Sequence, residues 1–221
     1  MPDHVVLVAH GSRDPRAASV TRALARTVAA VRPGLDVRTA FLEHTSPSPA
    51  SVLASLTEPA VVVPLLLTNA YHGSIDLPAQ VSGFDCTITD TLGSPALVDA
   101  LVKRLPAEPF DSLVLAAAGT RVASARAGID EVAAALSARL NVPCRVAYAA
   151  GAVPSGAEAV RCLPGRVGVA SYFLAPGKLY DLVVASARSA GAAFSAPPLG
   201  ASWPLAQLIC DRIDAALLTR A

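Results

Sequence analysis

His10, Glu43 and His72 are separated by 33 and 29 residues, and each interval has the length of one strand–helix unit. Imidazole and carboxylate side chains together ligate first-row divalent metals such as Fe, Co, Ni or Zn. Imidazole also takes up protons near neutral pH. A lone histidine at a strand end is ordinarily a satisfied structural side chain, so the set of three carries weight only if an arrangement of strands delivers all three to one place.

The sequence supplies that arrangement. Val5 to Ala9 is a short apolar run that ends at His10-Gly11-Ser12-Arg13, and Asp14-Pro15 then opens a long apolar-periodic segment. An apolar run bounded by turn residues reads as a buried strand. Asp14 as N-cap and Pro15 at the first helical position read as a helix start. In the first half, strands are expected at about 4–9, 36–42, 60–67 and 85–89, with helices at about 15–31, 47–56, 75–82 and 95–105. In the second half, strands are expected near 112–118, 144–150, 166–174 and 194–197, with helices near 121–139, 155–162, 178–190 and 203–219. Alternating strands and helices give parallel sheets covered on both faces, with ligands at the carboxyl ends of the strands. His10, Glu43 and His72 follow three successive strands and so fall on one such edge.

The chain is a duplication. VLVAHGSRDPRA from Val6 matches VLAAAGTRVASA from Val114 at an offset of 108. RTAFLEHTSPS from Arg38 matches RVAYAAGAVPS from Arg145 at an offset of 107, and Leu92-Gly93 matches Leu199-Gly200 at the same offset. Segments in register at nearly one offset indicate an internal repeat. The fold class is therefore α/β, with two similar lobes, each a parallel four-stranded sheet flanked by helices. The division is expected at 1–107 and 108–221, where AEPFD interrupts the pattern, with a substrate cleft between the lobes. The copies differ at the strand ends. Ala118 stands for His10, Ala150 stands for Glu43, and no histidine stands for His72. Joint loss from one copy moves the three residues from a structural to a functional reading and assigns the site to the N-terminal lobe. His4 precedes the first strand, and His44 points to the other face if the strand pleat continues, so both are read as structural.

Several classes of function are excluded. A formal net charge of +1 gives no electrostatic basis for binding nucleic acid or an anionic membrane. No apolar stretch approaches the length of a membrane span, and no secretory signal is visible, so a cytoplasmic protein is expected. Cys86, Cys144, Cys162 and Cys210 are scattered without a CxxC pair and read as reduced, buried thiols. There is no GxSxG elbow, no Walker loop at Gly177-Lys178 and no GxGxxG after the first strand. A phosphohistidine-type phosphatase would need an arginine where Ala9 stands. Basic and polar groups near the same loops suit a polyanionic ligand: Arg13 and Arg16 in the first half, Arg121 and Arg126 in the second, and Lys178, with Ser12, Thr68, Asn69 and Ser74 contributing hydroxyls and an amide.

HGSRDPRA after an apolar strand, FLE at the second strand's end, PLLLTNAYHGSIDLP (Pro64 to Pro78) and SYFLAPGKLYDLV (Ser171 to Val183) together resemble the sirohydrochlorin chelatase family, the class II metal chelatases of the sirohaem and cobalamin pathways. The resemblance spans most of the chain. It implies two α/β lobes facing a cleft, with metal-binding histidines at His10 and His72 and the acidic residue at Glu43. It implies ATP-independent insertion of Fe2+ or Co2+, with Ni2+ a third candidate, into sirohydrochlorin, whose eight carboxylates suit a basic cleft. The metal is then a substrate and no permanent cofactor is expected. The expected state is a monomer with pseudo-two-fold symmetry, without nucleic-acid or membrane partners. A non-enzymatic tetrapyrrole or metal carrier using the same residues is the alternative.

Overall fold

The structure, a computed structural model, describes residues 4–68 and 72–218, without the side chains of His72 and Ser74. β1 (His4–Ala9) has Val5 to Val8 fully buried. Such a strand must be covered on both faces, and it runs parallel between β2 (Asp36–Phe41) and β3 (Ala60–Leu65). β4 (Cys86–Ile88) extends the sheet beyond β3, giving the order β2-β1-β3-β4. The second repeat builds the same sheet from β5 (Ser112–Ala117), β6 (Cys144–Tyr148), β7 (Val167–Tyr172) and β8 (Phe194–Ser195), in the order β6-β5-β7-β8. β3, β5 and β7 are buried throughout and largely apolar, while β2 is only half-buried along most of its length.

The helices are α1 (Pro15–Val31), α2 (Pro49–Leu53), α3 (Leu77–Gln80), α4 (Val98–Val102), α5 (Ala123–Leu140), α6 (Gly156–Arg161), α7 (Lys178–Ser189) and α8 (Trp203–Leu218). α1 starts as expected: the Asp14 carboxylate accepts from the Arg16 N–H at 2.9 Å, with Pro15 in the first turn. It buries Ala18, Thr21, Leu24, Ala25 and Val28, a stripe at helical spacing. Three helices are shorter than expected. The segment after β3 begins as a π-helical turn, His72–Asp76, before α3, and α4 follows a 3-10 turn, Pro95–Leu97. Pro78 explains the wide turn, because it has no N–H to donate to the carbonyl four residues back.

Packing divides the chain differently from the 107/108 boundary of the repeat. One compact unit is the first repeat through Leu92 together with the segment from Gly200, and the other is Gly93–Leu199. The switch points are repeat-equivalent. Leu92 and Leu199 are each fully buried, with N–H groups donating to Leu66 O and Phe173 O, both at 2.9 Å. Each repeat is thus pinned to its own sheet as far as that leucine, and its last helix then joins the other unit. α8 packs on α1 and β3, where Arg32 holds Asp214 at 2.7 and 2.8 Å. α4 packs on α5 and β7, where Arg139 reaches Asp99 at 3.2 Å. An amphipathic helix carries no label for which sheet it covers, so this exchange of terminal helices was not legible beforehand.

The four cysteines are free thiols. Burial pushes the Cys144 thiol up to about 12, so it is inert at neutral pH. Among the described residues, no helix is long and apolar enough to cross a membrane.

Candidate metal-handling site at the strand ends of the first repeat

Ala9, Phe41 and Leu65 lie side by side in register at the carboxyl ends of β1, β2 and β3. The chain leaves all three strands at one edge, and pairing between the first two continues past the strands. Leu42 N–H donates to Ala9 O at 3.0 Å, and Glu43 N–H donates to His10 O at 3.0 Å. Gly11, at φ +92, makes this approach possible, because a Cβ there would collide with the Glu43 carbonyl oxygen. His10 and Glu43 are adjacent as a result.

His10 Nε2 lies 3.2 Å from Glu43 Oε1, and His10 Nδ1 lies 3.1 Å from Gly11 O. Nδ1–H is therefore the donor to the Gly11 carbonyl in the tautomer that satisfies it. In that tautomer Nε2 presents a lone pair toward the carboxylate oxygen. Two acceptors facing one point call for a cation, a proton or a metal ion, between them. Both side chains are about two-fifths exposed, so the point is open to solvent and to a large ligand.

His72 follows β3 and begins the π-helical turn. Its side chain lies outside the described residues. Among the described residues no cluster of three or more metal-ligating groups forms. Asn69 and the Ser74 side chain also lie outside the described residues, and Thr68 is half-buried in the loop after β3.

The loop after β1 is braced by its own polar groups. Ser12 Oγ accepts from Asp14 N–H at 3.0 Å, and Thr45 Oγ1 donates to Ser12 O at 3.0 Å. Arg13 is exposed beside it. Arg16 turns back on Asp14, with Nη2 to Oδ2 at 2.6 Å and Nε to both carboxylate oxygens at 3.1 and 3.0 Å. The Arg16 side-chain hydrogen bonds hold the Asp14 carboxyl below its ordinary value. Arg16 is thus engaged with its own helix cap, whereas Arg13 is the outward-facing cation of the loop. In the second repeat, Arg121 is exposed, and Arg126 Nη1 braces the loop by donating to Thr120 O at 3.2 Å and Arg121 O at 3.3 Å. Lys178 is the exposed first residue of α7.

Two expectations need correction. His4 lies within β1 rather than before it, and its Nδ1 is paired with Asp36 Oδ2 at 2.9 Å at the opposite end of the strand. That pairing keeps it a structural histidine. His44 does not point away. β2 ends at Phe41, and His44 takes a left-handed conformation, φ +62, that brings its Nε2 within 3.2 Å of Glu43 Oε2. A non-glycine residue there costs about 1–2 kcal/mol. The missed signal was the Glu43-His44 pair itself, next to a turn rich in serine, threonine and proline.

Two parallel four-stranded sheets built from one duplicated repeat, with imidazole and carboxylate gathered at the carboxyl edge of the first, define a two-lobed α/β protein with a candidate metal-handling edge. Residues 4–108 match the CbiX family model. That match covers the first repeat.

Solved structures share the whole fold. SirB from Bacillus subtilis with Fe3+ superposes with a TM-score of 0.82 at 18% identity, covering 98% of this chain and 96% of that one. SirB from Bacillus subtilis subspecies spizizenii in complex with cobalt gives 0.81 at 19% identity, covering 98% and 95%. CbiX, described as the terminal enzyme of sirohaem biosynthesis in denitrifying bacteria, gives 0.73 at 24% identity, covering 96% and 99%. These are likenesses of fold. No curated protein matches the chain significantly.

Proposed function

We propose that this protein is a sirohydrochlorin metal chelatase that inserts Fe2+ or Co2+ without ATP, serving sirohaem or cobalamin biosynthesis. The observation that carries the proposal is the His10–Glu43 pair, a ring nitrogen and a carboxylate oxygen 3.2 Å apart at the strand edge of the repeat that matches the CbiX model. Two fold neighbours, the sirohydrochlorin chelatase SirB with cobalt and CbiX, the terminal enzyme of sirohaem biosynthesis, agree with it.

Insertion exchanges two pyrrole N–H protons for one M2+ ion. His10 Nε2 and Glu43 Oε1 offer M2+ a two-atom bite, and His72 from the neighbouring strand end is the third proposed ligand. A small set of exposed ligands holds the ion weakly enough to surrender it to four pyrrole nitrogens. As the metal leaves, the freed imidazole and carboxylate accept the two protons, so charge at the site is conserved through the exchange. Arg13 and Ser12 beside the site, Thr68, Asn69 and Ser74 in the loop after β3, and Arg121 and Lys178 in the second repeat are the proposed contacts for the substrate carboxylates. Arg16 contributes indirectly, by fixing the Asp14 cap that shapes the loop.

Absorbance of sirohydrochlorin under anaerobic conditions with Fe2+, Co2+ and Ni2+ in turn tests the proposal. Multiple turnovers to the metal complex without nucleotide are expected. A spectral change that stops at one equivalent per protein would overturn catalysis in favour of a tetrapyrrole carrier.

A further inference from the structure

The duplication makes His44 conspicuous. Its repeat partner is Gly151, with φ +70, the residue type that occupies the left-handed region without strain. The first repeat keeps the same turn at φ +62 but places a histidine there. The turn itself is tied down on both sides: Glu43 N–H donates to His10 O at 3.0 Å, Thr45 N–H to Glu43 O at 2.8 Å, and Thr45 Oγ1 to Ser12 O at 3.0 Å. Its conformation is therefore fixed by backbone contacts and the Thr45 hydroxyl and does not need an imidazole. What the imidazole adds is a contact that the second repeat lacks. His44 Nε2 lies 3.2 Å from Glu43 Oε2, while Glu43 Oε1 faces His10 Nε2 at 3.2 Å. Where Glu43 becomes Ala150, the histidine becomes glycine as well.

We infer that His44 is a positioning residue for Glu43. Its Nε2–H donates to Oε2 and fixes the carboxylate plane, so that Oε1 stays turned to His10. A carboxylate held at both oxygens cannot rotate about its last torsion without losing one partner. Free rotation would spread Oε1 over positions that no longer share a cation with His10. The role needs only a donor of the right reach, and it deepens the proposed chelatase reaction, on which it rests.

The experiment compares His44→Gly, which suits the turn and removes the donor, with His44→Gln, whose amide nitrogen has about the reach of Nε2. Each is made in the wild type and in the Glu43→Gln background. His44→Gly is expected to melt no lower than the wild type. Its kcat for Co2+ insertion falls about tenfold, the range for losing a partner that orients a metal ligand, with the tetrapyrrole KM little changed. His44→Gln recovers most of the loss. In the Glu43→Gln background, His44→Gly has no further effect, because the carboxylate it positions is gone. Titration with Co2+ alone, read by its visible absorbance, shows the same order of affinities independently of turnover.

Wild-type kcat and Co2+ affinity in His44→Gly would overturn the inference while leaving the chelatase reading intact. So would a loss that glutamine fails to rescue or that adds fully to Glu43→Gln. A wild type that binds Co2+ with the expected order among variants but turns nothing over would overturn the chelatase reading and leave the positioning role standing.

Discussion

The two strand-end turns of this protein are one backbone carrying two sets of side chains. In the first, Gly11 at φ +92 lies against the Glu43 carbonyl, and Glu43 N–H meets His10 O at 3.0 Å. In the second, Gly119 at φ +95 lies against the Ala150 carbonyl, and Ala150 N–H meets Ala118 O at 3.1 Å. One residue earlier, Leu42 N–H to Ala9 O and Ala149 N–H to Ala117 O are both 3.0 Å. The glycines and hydrogen bonds therefore belong to the fold, since both copies need them. His10, Glu43 and His44 correspond to Ala118, Ala150 and Gly151, so the two turns differ in the chemistry they present. A duplicated chain acts as its own control, separating what holds the turn from what the turn presents.

The largest expected effect tests the presented side chains. His10→Ala and His72→Ala should each lower metal insertion by about 100-fold or more, the scale of losing a group that both binds metal and moves protons. Melting temperatures should stay near the wild-type value, because side chains at strand ends contribute little to the core. Near-normal insertion by His10→Ala at saturating metal would place the reaction elsewhere and remove the basis for contrasting the two turns.

The shared backbone predicts a symmetric effect. Gly11→Ala and Gly119→Ala each drive a Cβ into a carbonyl oxygen at positive φ, so each should destabilise by about 2–3 kcal/mol. Chemical denaturation measures this. At temperatures where both variants remain folded, only Gly11→Ala should also lose insertion activity, because only its turn aligns His10 with Glu43. Equal losses of activity would mean that the second turn presents something its alanines do not reveal.

Smaller effects separate turnover from grip. Glu43→Gln keeps size and hydrogen bonding but removes charge, so kcat should fall about tenfold while tetrapyrrole binding changes little. Arg13→Ala should do the reverse, raising KM several-fold through a lost carboxylate contact. Arg121→Ala, at the equivalent position of the second repeat, should behave like Arg13→Ala if that repeat kept a binding role after losing its histidines. A kcat effect without a KM effect at Arg121 would contradict this division of labour.

Much of this was legible in the sequence because the signals were local. Asp14-Pro15 and Pro33-Gly34 bracket α1, and its ends fall at Pro15 and Val31, as expected. The central strands announce themselves as unbroken apolar runs. The reading failed where an outcome depends on what lies across a gap. His44 was assigned by extending the pleat of β2, but Phe41 N–H donates to Pro47 O at 2.9 Å, and the chain is already turning back. One helix is expected at about 75–82, and the chain instead forms a wide turn, His72–Asp76, and a short helix, Leu77–Gln80. The packing boundary was placed at the end of the repeat, since the offset of 107 is visible in sequence and the destination of a terminal helix is not.

The opposite end of the first sheet offers the smallest effect and a counterpoint to the carboxyl edge. There His4 Nδ1 and Arg38 Nε both lie 2.9 Å from Asp36 Oδ2. Partial burial pushes the Asp36 carboxyl up, but the hydrogen bonds from His4 and Arg38 outweigh it, and the group sits below its ordinary value. The equivalent residues of the second repeat, Ser112 and Pro143, carry no charge. A carboxyl depressed in the folded state binds fewer protons there than in the unfolded chain. Its contribution is therefore complete above the unfolded value of about 4 and is lost as pH falls through the lower folded value. Because Asp36 is two-fifths exposed, solvent screening limits that contribution to about 0.5 kcal/mol. Asp36→Asn should thus be slightly less stable than the wild type in urea at pH 7, with the gap narrowing as pH falls below about 4. Asp36 precedes Glu43 by seven residues on a chain that rises about 3.3 Å per residue, placing it about 20 Å from the site. Metal insertion by Asp36→Asn should accordingly match the wild type. A stability gap unchanged at pH 3 would make the Asp36 contact one of packing rather than charge. A loss of insertion would show that the amino edge of the sheet communicates with the carboxyl edge, which nothing in the hydrogen bonding of β1 and β2 provides for.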